Sequence, residues 1–172
     1  MEANMKKLLS ALSVLIFVTA TVAYAIHQVT PAETYVPFPG PHAEAVFKYI
    51  TAEDPYNRWD LWPGKGKLVK GRPPLDIITT YVNDNALYSI KAGKKTANGS
   101  IIVTENYAGG KKLSAVFVMY KIRGYNPPAG DWYWAQYDAN GKTVTEGKVG
   151  DCIGCHAKMK ENDYIFTDKF VR

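Results

Sequence analysis

The sequence predicts a mainly β protein of the α+β class, in which an antiparallel sheet is accompanied by a few short helices. Runs rich in β-branched and aromatic residues recur along the chain, and the turn-forming pairs Asn98-Gly99 and Asn140-Gly141 stand beside several of them. The chain has 172 residues, of which 47% are hydrophobic, so one domain with a sizeable core is expected. Neither an internal repeat nor a second domain is apparent.

The amino-terminal segment has the features of a secretory signal peptide. Lys6 and Lys7 precede an apolar run over residues 8–22, and Ala23-Tyr24-Ala25 resembles a cleavage site. The alternative is an uncleaved membrane anchor, for which the run is barely long enough. We therefore predict a signal peptide over residues 1–25 and one folded domain over residues 26–172.

The first part of that domain is predicted to hold one short helix. Residues 26–40 are rich in proline and read as an extended lead-in. Apolar residues then recur at helical spacing after Pro41: Ala43, Val46, Phe47 and Ile50. Pro55 ends this pattern, and an aromatic loop follows over residues 56–64. Its Trp59 and Trp62 fit either core packing or the wall of a cofactor pocket equally well.

The central part is predicted to alternate strands with turns. Residues 75–82 read as a strand, after which Asn83 or Asp84 caps a short helix. Residues 100–107 and 112–123 form a predicted hairpin, which ends before the proline-rich break at residues 126–130.

The last predicted strands precede the carboxyl-terminal segment. Residues 131–138 alternate so that Trp132 and Trp134 face away from Tyr133 and Tyr137, and residues 142–146 return beside them. The apolar tail at residues 164–167 is expected to pack back on the sheet.

A five-residue motif near the carboxyl end points to a cofactor. Cys152-Ile153-Gly154-Cys155-His156 has the pattern C-x-x-C-H, in which two thiols form thioethers with one porphyrin and the next residue offers an imidazole to its iron. A zinc site would need two more ligands nearby, and a thioredoxin-like motif would need a βαβ context. We predict one covalent haem c bound by Cys152 and Cys155, with His156 as the proximal iron ligand.

The motif and the export signal support each other, because haem c is attached outside the bacterial cytoplasm; the predicted location is the periplasm. Small helical electron carriers have C-x-x-C-H near the start, whereas here it follows a β-rich domain. The formal net charge of +5 fits simple solubility, docking of an acidic redox partner or attraction of an anionic substrate. The basic residues are not clustered as a nucleic-acid site requires.

No residue stands out as a ligand for the other side of the iron. The candidates are His27, His42, Met119 and lysines, and we therefore expect an open sixth position. Proton-coupled chemistry on a small ligand of the iron would also need a base. Glu105, Asp131, Glu146 and Asp151 are expected to be surface carboxylates, and none is assigned a catalytic role.

Across residues 35–170 the chain resembles the cytochrome P-460 family of periplasmic mono-haem proteins. The stretches that carry the resemblance are residues 81–83, 98–100, 102–106, 130–134, 152–156 and 162–167. The resemblance implies a β-rich fold, usually a homodimer, and a five-coordinate haem. It also implies oxidation of hydroxylamine, or binding and processing of nitric oxide.

Two residues of the family's enzymes bear on which activity to expect. The enzymes carry a lysine joined covalently to the porphyrin, and Lys91 is its best match, although Lys94 and Lys95 are close and a solvated lysine is an equally good interpretation. A distal arginine of the enzymes aligns near Ile78 or Thr79, where this strand has no arginine. Whether the protein is an enzyme stays open: a hydroxylamine or nitric oxide oxidoreductase that passes electrons to a redox partner is one hypothesis, and a non-catalytic electron carrier or a nitric oxide-binding protein is the other.

Overall fold

The computed structural model describes residues 37–109 and 112–172, which are organised around a seven-stranded antiparallel sheet. The strands are β1 (Asp60–Leu61), β2 (Val69–Lys70), β3 (Ile77–Val82), β4 (Ile101–Ala108), β5 (Lys112–Lys121), β6 (Trp132–Asp138) and β7 (Thr143–Gly147). Their order across the sheet is β1-β3-β4-β5-β6-β7, and β2 pairs with another part of β3. Neighbouring strands from β3 to β7 are also consecutive in the chain, so local hairpins build most of the sheet.

Within the described residues, three short α-helices accompany the sheet: α1 (Ala43–Lys48), α2 (Asp84–Lys91) and α3 (Gly150–His156). Helix α1 continues into a π-helical turn over Tyr49–Glu53, and 3-10 turns occur at Tyr56–Arg58, Pro127–Ala129 and Ala157–Asn162. Helix α2 begins where Asn83 Oδ1 accepts a hydrogen bond from the Ala86 N–H at 3.1 Å, which is the predicted cap. The mainly β class with a few short helices is thus confirmed.

Helix α1 covers one face of the sheet together with many tyrosines. Because side chains alternate along a strand, Tyr133 and Tyr137 of β6 point to this face, as predicted, and Ala135 points there with them. The residues of α1 and its π-helical turn that pack there are Ala43, Val46, Tyr49 and Ile50. We call this side of the sheet the tyrosine face.

The tyrosine face also corrects one expectation from the sequence. Glu105 is only 8% exposed, although it was expected to be a surface carboxylate. Its two carboxylate oxygens accept hydrogen bonds from the hydroxyls of Tyr56 (2.8 Å) and Tyr107 (2.7 Å). These bonds compensate the burial of a carboxylate, and burial together with Glu105 raises the pKa of both tyrosines.

The opposite face, which we call the tryptophan face, is covered by α2 and the carboxyl-terminal segment. Its buried residues include Trp132 and Trp134 of β6, Ala86 and Ile90 of α2, and Tyr164, Ile165 and Phe170 of the tail. The predicted return of the apolar tail to the sheet is therefore confirmed. Trp62 of the aromatic loop is 2% exposed and packs here against Phe170, at 5.7 Å between ring centroids.

Strands β1 and β2 and helix α3 were not predicted from the sequence. The two strands have only two residues each, too few for an alternating pattern to be recognised. The predicted signal peptide at residues 1–25 lies outside the described residues and stays a prediction. In the part of the chain that the structure describes, no helix is sufficiently long and apolar to cross a membrane.

Candidate haem site

Helix α3 brings the three motif residues to one side. Cys152, Cys155 and His156 occupy positions i, i+3 and i+4 of Gly150–His156, and residues at this spacing are neighbours on a helix surface. Cys152 is half-buried and Cys155 is exposed. Two thiols and an imidazole are thus presented together, as attachment to one porphyrin requires.

The two thiols do not have the features of other cysteine sites. Both are free rather than joined in a disulfide. Burial raises the pKa of the Cys152 thiol, with a further contribution from the Asp151 charge, whereas a redox-active cysteine needs a lowered pKa. Among residues 37–109 and 112–172, no three His, Cys, Asp or Glu side chains are grouped as ligands of a metal ion would be.

The His156 ring is fixed in a single orientation. Its Nδ1 lies 2.6 Å from the backbone carbonyl oxygen of Tyr164; since a carbonyl can only accept, Nδ1 carries the proton and the lone pair lies on Nε2. Burial lowers the pKa of His156, against the opposing effect of this bond. A ring nitrogen anchored to a carbonyl, with the other left as a ligand, is the usual arrangement for a metal-bound histidine.

Two aromatic rings pack against this imidazole. The ring centroids of Trp134 and Phe166 lie 4.5 and 5.0 Å from that of His156, both edge-on. Trp134 belongs to the central region of the tryptophan face, so the imidazole is held directly against the sheet.

The tryptophan face offers a wall beside His156. One row of cross-strand neighbours contains Ile102, Met119 and Trp134, and the next row on the same face contains Thr80, Thr104, Phe117 and Gln136. Apart from Thr80, the residues of this second row are half-buried rather than sealed in the core. A surface that combines apolar side chains with a few polar groups suits a porphyrin and a small ligand.

A scan against protein-family models finds a match to the family described as Cytochrome P460 over residues 56–167. The match covers well over half of the chain and includes the motif, Tyr164 and the strands that form the wall. The chain belongs to the cytochrome P460 family. Haem binding and the cytochrome class follow from this membership. No curated protein matches the chain.

The site of this cytochrome P460 protein fits a haem. The indole N–H of Trp134 is buried without a hydrogen-bond partner, although buried N–H groups are nearly always paired. This unpaired donor lies next to the His156 ring, so the site has an unused polar group where a further group would be placed. Together with the two free thiols and the available Nε2, it makes Cys152, Cys155 and His156 the residues that would hold a haem.

The other described residues singled out in the sequence are spread over both faces of the sheet. Lys91 is the last residue of α2, where it is exposed, so a cross-link through Lys91 stays a prediction. His42 immediately precedes α1, which packs on the tyrosine face, and thus lies on the opposite side of the sheet from His156. Met119 lies on the tryptophan face opposite Trp134, whereas His27 lies outside the described residues.

The carboxylates divide between the two sides. Glu105 and Glu146 both bind tyrosine hydroxyls of the tyrosine face, with Tyr133 donating to Glu146 at 2.7 Å. Asp151 is exposed on α3, and Asp131 is half-buried, where it accepts a hydrogen bond from the Asn126 N–H at 3.1 Å.

One arginine near the site has no signal in the sequence. The guanidinium of Arg72, in the loop before β3, lies 5.9 Å from the ring centroid of Phe166, which itself contacts His156. Strand β3 lacks an arginine, but the loop that leads into it places one beside Phe166. A strand pattern cannot reveal this contact, because residues 72 and 166 are far apart in the chain.

Proposed function

We propose that this cytochrome P460 family member is a periplasmic protein with one covalent haem c that binds or oxidises hydroxylamine or nitric oxide. Cys152 and Cys155 hold the porphyrin, and His156 is the proximal ligand. A redox protein partner accepts the electrons, and the protein forms a homodimer. The observation that carries the proposal is the His156 imidazole, which has Nδ1 bound to a carbonyl and Nε2 left as a ligand.

When bound, the haem supplies an iron that takes up a small ligand and exchanges electrons. The chain supplies the surroundings of that ligand. Phe117 and Met119 exclude water from the wall, because both offer apolar surface on the tryptophan face. Thr80, Thr104 and Gln136 offer hydrogen-bond donors to a polar ligand; the two threonine hydroxyls already lie 3.4 Å apart.

A specific observation favours nitric oxide binding as the second candidate. Oxidation of hydroxylamine needs a group that accepts protons. Glu105 and Glu146 are engaged with tyrosines on the opposite face of the sheet, so neither serves the wall beside His156. Without these two carboxylates, the site binds nitric oxide but removes protons from hydroxylamine slowly.

The proposal is tested by adding carbon monoxide, nitric oxide and hydroxylamine to the purified holoprotein. We expect the ferrous protein to bind both gases with a shift of the visible spectrum, because the sequence offers no clear second ligand for the iron. Turnover of hydroxylamine with an artificial electron acceptor would show that the protein is an enzyme. Nitric oxide binding without such turnover would support the second candidate, a nitric oxide-binding protein.

A low-spin, six-coordinate spectrum in both oxidation states, without gas binding, would contradict both candidates and favour an electron carrier. The His42→Ala variant is the control, since this exposed side chain lies across the sheet; it should bind the gases as the parent does. A proteolytic peptide in which Lys91 is joined to haem would support the hypothesis that the protein is an enzyme.

A further inference from the structure

A buried ion pair lies where the carboxyl-terminal segment meets the sheet. Lys121 Nζ of β5 is 2.7 Å from Asp163 Oδ1, and the two side chains are only 9% and 4% exposed. The same ammonium donates to the carbonyl oxygen of Gly130 at 2.7 Å and lies 4.1 Å from the ring centroid of Trp132. Lys121 is therefore held in place by three groups of the tryptophan face.

Asp163 and its neighbour adopt an unusual backbone conformation. Asp163 has a φ of +55° and Tyr164 a φ of +66°, although neither is a glycine. Left-handed residues are unfavourable for side chains with a Cβ, especially for a bulky one, and persist only where their surroundings hold them. Two such residues in succession therefore need specific contacts.

Those contacts converge on Asp163. Its Oδ2 accepts hydrogen bonds from the N–H (2.8 Å) and the hydroxyl (2.6 Å) of Thr96, while Oδ1 binds Lys121. Its backbone carbonyl accepts a hydrogen bond from Trp132 Nε1 at 2.9 Å. The Tyr164 hydroxyl donates to the carbonyl of Pro128 at 3.0 Å. The loop before β4, strands β5 and β6 and the break before β6 thus all fix this two-residue segment.

A hydrogen bond joins this two-residue segment to His156. The carbonyl that accepts the hydrogen bond from His156 Nδ1 belongs to Tyr164. We propose that the Lys121–Asp163 pair acts as a positioning device that directs this carbonyl at His156 and thereby tunes the reduction potential of the haem. The proposal rests on the proposed role of His156 as iron ligand.

A purely stabilising role explains the pair poorly. Burying two charges is costly, and an apolar replacement of such a pair is often neutral or stabilising. Burial lowers the pKa of Lys121 despite the opposing effect of Asp163, which agrees with a substantial desolvation cost. The pair does, however, fix a backbone conformation that apolar side chains would not specify.

The direction of the effect follows from the hydrogen bond. A carbonyl that accepts from Nδ1–H makes the imidazole more basic, which stabilises the ferric iron more than the ferrous iron. Loosening the segment weakens this bond, so the reduction potential should rise and the iron–histidine stretching frequency should fall. Lys121 and Asp163 are positioning residues, since each acts on the iron through Tyr164 and His156.

The test compares two charge-neutral double variants of the holoprotein. The first is Lys121→Met with Asp163→Asn, where asparagine also tolerates a left-handed backbone. The control is Lys65→Met with Asp168→Asn, which removes the more exposed pair that ties the same carboxyl-terminal segment at 3.0 Å. Each double variant removes one positive and one negative charge.

We expect the first double variant to change the equilibrium constant for one-electron reduction about tenfold, which is about 59 mV toward a higher potential. Its iron–histidine stretch in the resonance Raman spectrum should move to lower frequency. The control should keep the parental potential and frequency. An unchanged potential and an unchanged stretch in the first double variant would overturn the proposal, even if its thermal stability fell.

If the double variant at Lys121 and Asp163 does not yield holoprotein, a milder single variant tests the positioning role instead. Thr96→Val removes one donor to Asp163 and leaves the ion pair, so a smaller shift in the same direction is expected and no shift overturns the proposal. A parent protein without an iron–histidine band would refute the proximal assignment and, with it, this proposal. A parental band that does not respond to the variants would refute the positioning role alone.

Discussion

Replacing His156 by alanine is expected to abolish the parental visible spectrum. The imidazole is the single histidine held against the tryptophan face among the described residues, and alanine leaves nothing at this position to ligate iron. The Trp134 and Phe166 rings would lose their contact with it at the same time. Absorption spectra of the purified variant in both oxidation states measure the effect.

Adding free imidazole as a replacement ligand distinguishes the loss of iron ligation from a general loss of structure. The His156→Gly variant leaves room for free imidazole, so adding imidazole should recover much of the parental spectrum. His42→Ala should leave the spectrum unchanged, because His42 precedes the helix that packs on the tyrosine face. A His156→Ala protein with the parental spectrum would show that another residue is the ligand.

Replacing Trp132 by alanine is expected to cost about 3–5 kcal/mol of the free energy of unfolding. This side chain is fully buried, its Nε1 donates to the Asp163 carbonyl, and Lys121 lies over its ring. The variant creates a cavity and leaves the Asp163 carbonyl without this donor. Because domains have a total stability of about 5–15 kcal/mol, the loss is a large fraction of it.

Urea denaturation of the variant and the parent measures this difference. Tyr88→Ala is the matched control: Tyr88 is 75% exposed on α2, so its removal should change the free energy of unfolding by no more than about 0.5 kcal/mol. A loss of less than about 1 kcal/mol for Trp132→Ala would contradict the close packing of Trp132 in the core of the tryptophan face.

The strands and their faces could be predicted from the sequence because the pattern is local. Alternation over residues 131–138 separated Trp132 and Trp134 from Tyr133 and Tyr137, and the structure places them on opposite faces. The helix cap at Asn83 could be predicted for the same reason, since its hydrogen-bond partner is only three residues away.

The surroundings of the haem motif could not be predicted, because they depend on contacts between distant residues. Lys121 and Asp163 are 42 positions apart, and no local sequence pattern predicts that they form an ion pair. The left-handed conformation of Asp163 and Tyr164 has no glycine to signal it. Similarly, the burial of Glu105 depends on Tyr56, which is 49 positions away.

The central claim is that Cys152 and Cys155 hold a single haem covalently and that His156 ligates its iron. Mass spectrometry of the denatured protein, followed by analysis of its proteolytic peptides, tests the attachment most directly. We expect a mass equal to the polypeptide plus one haem, with that haem carried by the peptide that contains residues 152–156. A polypeptide without added haem, or a haem attached only elsewhere, would contradict the account.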